Sequence, residues 1–78
     1  MSVPPGMTAK LVYMANQIAR FFASQPGGHA AADVAEHLRL YWAPAMRRDI
    51  LAYVGSGGAG LHPAALSAVR SLQPVGVD

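Results

Sequence analysis

Apolar residues recur at three- and four-residue intervals along most of the chain, and no segment sustains the period-two alternation of a strand. The first stripe comprises Leu11, Met14, Ala15, Ile18, Phe21 and Phe22, opposite Lys10, Tyr13, Gln17, Arg20 and Ser24. It predicts an amphipathic helix of about four turns, capped by Thr8 and ended by Gln25-Pro26-Gly27-Gly28. A second stripe, Ala31, Val34, Ala35, Leu38, Tyr41 and Trp42, predicts a helix over Ala30 to Trp42 with Asp33, Glu36, His37 and Arg39 mostly outside it. Asp33 and Glu36 suit the positive end of that helix, although no good capping residue precedes it. Pro44 disfavours a helical Ala43 and fits the first turn of a third helix, Pro44 to Val54. That helix turns Met46, Ile50, Tyr53 and Val54 inward and Arg47, Arg48 and Asp49 mostly outward, and Gly55 stops it. Pro63 opens a last helix to Leu72, with Leu66, Val69 and Leu72 on its apolar side. The expected fold is all-α: a compact four-helix unit over residues 8–72 with short Pro/Gly-rich connections, between tails at 1–7 and 73–78.

Composition narrows what such a unit can do. At 78 residues there is room for one small domain, and a fold of that size buries only about 60% of the surface its unfolded chain exposes. The absence of cysteine removes disulfides, cysteine-ligated zinc, iron–sulfur clusters and cysteine nucleophiles together. A hydrophobic fraction of 53% against 13% charged residues is incompatible with a disordered tail. So apolar a chain, without a covalent staple, is expected to finish its core against another protein. Six basic and four acidic residues give a formal charge of +2, too slight to imply nucleic acid.

The uncharged stretch from Ile50 to Val69 is broken by Gly55-Ser56-Gly57-Gly58-Ala59-Gly60 and by His62-Pro63, which rules it out as a membrane span. Met1 to Gly6 lack the basic flank and apolar run of a signal peptide. The expectation is a soluble, cytoplasmic protein.

Candidate chemistry is sparse. Gly55 to Gly60 formally match G-x-G-x-x-G, but a phosphate cradle needs that loop between a strand and a helix. Here it follows a helix, and a flexible helix–helix connector accounts for it better. Asp33 and His37 share a helix face, yet two side chains do not make a zinc site, and His29 and His62 stand in loops without matching partners. Solvated surface histidines are the expectation. The helix–proline–helix segment with Arg47 and Arg48 suggests a small DNA-binding module, but the third helix then turns apolar instead of presenting several polar and basic groups. A surplus of large groups at the helix 2–3 corner is the strongest remaining feature. Tyr41, Trp42, Met46, Arg47 and Arg48 are of the types that dominate protein interfaces. Trp42 fits equally well as a filler of the bundle core.

Met14-Ala15-Asn16-Gln17-Ile18-Ala19 followed by Phe21-Phe22 resembles the opening signature of the delta subunit of NAD-dependent, molybdenum- or tungsten-containing formate dehydrogenases. The resemblance continues through Val34-Ala35-Glu36-His37-Leu38-Arg39, Tyr41-Trp42, Pro44 and Met46-Arg47. It closes with Gly57-Gly58-Ala59-Gly60-Leu61, Pro63 and the Leu66–Leu72 segment, covering roughly Lys10 to Leu72 in the expected order. Ala45 stands where arginine is expected, which weakens a basic contact, and Tyr41 replaces a usual phenylalanine while keeping an aromatic ring.

The resemblance implies a non-catalytic accessory subunit with no catalytic, cofactor or metal site of its own. It implies a partner, the alpha (catalytic) subunit, which carries bis-molybdopterin guanine dinucleotide with molybdenum or tungsten and iron–sulfur clusters. Beta and gamma subunits would hold FMN, further clusters and the NAD site. The delta chain would support assembly or stability of the complex, with no role for nucleic acid or membrane. The rival reading is a small helical DNA-binding or regulatory protein. Docking is expected at the helix 2–3 corner, through Tyr41, Trp42, Met46, Arg47 and Arg48.

Overall fold

A computed structural model describes residues 7–72, so the tail segments 1–6 and 73–78 lie outside the described residues. It contains four helices: α1 (Met7–Ala23), α2 (Ala30–Tyr41), α3 (Pro44–Gly55) and α4 (Pro63–Ser71). No strand occurs among the described residues.

The helix ends follow the local chemistry. Pro44 and Pro63 occupy the first turns of α3 and α4, each behind an extended residue. At the end of α3 the Gly57 N–H bonds the Val54 carbonyl and the Gly58 N–H bonds the Tyr53 carbonyl. Gly57 has φ +127°, and the pair of bonds forms a Schellman motif that satisfies two carbonyls otherwise left open. Thr8 departs from expectation: it lies inside α1 and is buried, because the helix already includes Met7.

Every helix contributes to one core. Its largest fully buried side chains are Leu11 from α1, Val34 and Leu38 from α2, Ile50 from α3 and Val69 from α4. Between them lie alanines that are completely buried: Ala15 and Ala19 on α1, Ala65 and Ala68 on α4. Such small groups let helix backbones approach closely. α2 packs most extensively on α4 and next on α1, while α3 packs on α1 and α4. α2 and α3, though consecutive, hardly touch. They therefore flank the α1–α4 pair from opposite sides, and the corner between them spans the core.

Two large residues assigned to the inner stripes lie outside. Phe21 is 59% exposed and Tyr41 is 73% exposed. At 3.6 residues per turn Phe21 sits about 120° around α1 from Ala15, so it leaves the face centred on Leu11, Ala15 and Ala19. Tyr41 is the last residue of α2, and its ring lies against His37 on the helix shoulder.

Candidate interaction surface

The α2–α3 corner divides the five residues assigned to docking. Trp42, 5% exposed, belongs to the core, and Met46 is half-buried against it. Arg47 is also half-buried, and its Nη1 donates to the carbonyl oxygens of Trp42 and, at 3.3 Å, Arg39. A guanidinium there satisfies carbonyls left open at the end of α2 and opposes the negative end of its dipole. Tyr41 and Arg48 remain exposed. The corner thus has a structural inside, formed by Trp42, Met46 and Arg47, and an outward pair. With Arg47 turned to the α2 carbonyls, Arg48 is the exposed basic side chain of α3, short of what a DNA-reading helix presents.

Four rings, Phe21 and Tyr41 exposed and Phe22 and His37 half-buried, are arranged in a row. Phe21 and Phe22 meet edge to face at 5.2 Å, Phe22 faces His37 at 6.3 Å, and His37 lies 4.8 Å from Tyr41. Together with Ile18 and Gln17, the first three of these rings line a shallow groove of about 350 Å³ between α1 and α2. Beside it the Gln17 Nε2 donates to the Tyr13 hydroxyl at 3.3 Å, and Arg20 Nη1 donates to Gln17 Oε1 at 3.0 Å. Helical periodicity places all the apolar rings on the inner side, and so misses the groove.

The glycine connection is tied down, not loose as expected. Asn16 on α1 uses both ends of its amide: Nδ2 donates to the Gly60 carbonyl at 2.9 Å, and Oδ1 accepts the His62 N–H at 2.8 Å. The Tyr53 hydroxyl donates to the Ala59 carbonyl. Gly58 is buried with φ +68°, and a Cβ there would stand 2.7 Å from Leu66 Cδ1. The loop's Ala59 and Gly60 carbonyls and its Gly57 and Gly58 N–H groups are thus engaged in holding α3, α4 and α1 together, which is a connector's work.

The histidines are distributed accordingly. His29 is exposed at the start of α2 and makes no side-chain cap. His37 and His62 are half-buried, contrary to the expectation of solvated groups. His37 packs between Phe22 and Tyr41, and His62 Nδ1 accepts the Ala64 N–H at 3.0 Å, capping α4. Among the described residues no three His, Asp or Glu side chains converge on a point. No helix there is long and apolar enough to cross a membrane.

Two segments that carry the family resemblance are therefore physically joined, since Asn16 grips the backbone of the Gly57–Leu61 segment and its neighbour His62. Neither curated proteins nor solved structures yield a match to this chain. The family model described as NADH-dependant formate dehydrogenase delta subunit FdsD matches residues 10–69. That span runs from the first turns of α1 to Val69 in the core of α4 and includes every contact described above. The chain belongs to the delta-subunit family of NAD-dependent formate dehydrogenases.

Proposed function

We propose that this chain is a non-catalytic accessory subunit, supporting assembly or stability of the cofactor-bearing alpha subunit of a cytoplasmic formate dehydrogenase complex. Family membership makes it a subunit of an NAD-dependent formate dehydrogenase complex. The observation that carries the accessory role is the exposed apolar surplus on α1 and α2: Met7, Tyr13, Phe21, Leu40 and Tyr41. Phe21 and Tyr41 stand at the two ends of one row of rings, Phe21–Phe22–His37–Tyr41, and clustered apolar surface of that kind suits an interaction site. Bis-molybdopterin guanine dinucleotide with molybdenum or tungsten, the iron–sulfur clusters, FMN and the NAD site belong to the alpha, beta and gamma subunits. Formate oxidation and NAD reduction run there.

At the α2–α3 corner Tyr41 and Arg48 make the contact, while Trp42, Met46 and Arg47 set their positions from behind. A fixed corner loses little conformational entropy on binding.

The test is purification of the complex with and without this chain, followed by measurement of formate-dependent NAD reduction and metal content. Without it, activity and molybdenum or tungsten occupancy fall together, and a tagged wild-type chain recovers the alpha subunit. Full activity and metal content in its absence would overturn the role. Arg48→Ala weakens recovery of the alpha subunit in a salt-sensitive way, with the melting temperature of the isolated chain unchanged.

A further inference from the structure

Resting on the accessory-subunit reading, we infer that the α1–α2 groove receives an apolar anchor from an acidic amphipathic segment of the catalytic subunit. The groove is lined by Ile18, Phe21, Phe22 and His37, with Gln17 on its α1 edge. Its floor and walls are almost wholly apolar, which suits a hydrocarbon or aromatic side chain and offers little to a polar ligand. Phe21 stands in solvent on one wall although it packs edge to face on Phe22, so its position is set before any partner arrives.

Charge identifies the partner. Arg20 is exposed on the α1 edge, held by the Gln17 side chain that lines the groove, and has no carboxylate partner among the described residues. The acids on the facing helix are less available. Glu36 is engaged by Arg39 at 2.6 Å, and Asp33 is half-buried. In a second copy of this chain the remaining exposed acid among the described residues, Asp49, stands on α3, which leaves no large apolar side chain exposed beside it. A segment carrying an aspartate or glutamate next to an apolar anchor would instead meet both features at once. Tyr41 lies against His37 with the rings tilted at 46°, so the row of rings leads from the groove toward the α2–α3 corner. One partner surface covers both.

A photo-reactive phenylalanine analogue placed at position 21 tests this in the intact complex. The expected product is a cross-link to the catalytic subunit, mapping to a segment with an acidic residue next to an apolar one. Phe21→Glu and Arg20→Glu each lower retention of the chain on the complex by about tenfold or more. Both side chains are exposed, so the isolated variants keep the helical circular dichroism of wild type and melt only slightly earlier, by the lost Phe22 contact and the acid at the end of α1. Retention is measured well below that temperature. A cross-link to a second copy of this chain, or retention of both variants at wild-type level, would overturn the groove assignment and leave the accessory role standing. A wild-type chain that never co-purifies with the catalytic subunit would instead overturn the reading on which the groove assignment rests.

Discussion

Met7, Tyr13, Phe21, Leu40 and Tyr41, the large apolar side chains left in solvent, all belong to α1 and α2; α3 and α4 leave none exposed among the described residues. The connection in the second half is also held by polar ties: the Tyr53 hydroxyl to the Ala59 carbonyl within it, and Gly60 and His62 to Asn16 of α1 across it. Its glycine turn is closed by a Schellman motif and pressed against Leu66. One half seals its large apolar groups inside; the other supplies Leu11, Val34 and Leu38 to the core and leaves further apolar groups outside it. A domain this small has little stability to spare, roughly 5–15 kcal/mol in total for native proteins generally. The five groups left outside are the ones that the proposed partner surface would cover.

Substitutions should separate the halves. Trp42→Ala, at the joint between them, removes a buried ring and costs about 3–5 kcal/mol; denaturant titration should find the isolated chain near or below its folding threshold. Asn16→Ala leaves the part-buried His62 N–H without its acceptor and costs about 1–3 kcal/mol. Its melting temperature should drop while retention on the complex, measured below that temperature, stays at wild-type level. Leu40→Ser touches only the exposed side of α2 and should shift stability by no more than about 0.5 kcal/mol. Retention is where it shows, by a measurable loss. An Asn16→Ala chain that melts like wild type, or a Leu40→Ser chain that melts early, would erase the distinction between the halves.

Much of the fold was legible because its signals are local. Pro44 and Pro63 start helices through their own backbone preference; Gly55, expected to stop α3, is its last helical residue, and the left-handed turn falls at Gly57 and Gly58 instead. The stripes through Leu11, Val34, Leu38, Ile50 and Val69 identified the core. Periodicity does not say how wide a strip the neighbouring helices cover, and Phe21 and Tyr41 fell outside that width. The weight of Ala15, Ala19, Ala65 and Ala68 in the core was hidden for a related reason: small side chains give a faint apolar signal, yet they decide how closely helices approach. Arg47 read as a surface cation because its acceptors are carbonyls of another helix. The Asn16 contacts span 44 and 46 positions, and nothing adjacent to Asn16 in sequence announces them. The composition of the corner was visible from the start; its division into an inward and an outward set required the packing of α2 on α4.

That packing also governs the order in which the chain can become a protein. α2 finds its most extensive contact in α4, the fourth of the described helices to be synthesised, and Asn16 waits for residues 60 and 62. Helices form quickly from local contacts, but a ring of contacts that closes through its final segment cannot be completed in pieces. A nascent chain ending anywhere before Pro63 holds helices without a finished core, and a nick in the glycine connection would leave fragments that need each other. The unit of folding is the whole span from α1 to α4. Any partner that meets α1 and α2 during synthesis meets them before their own domain has closed.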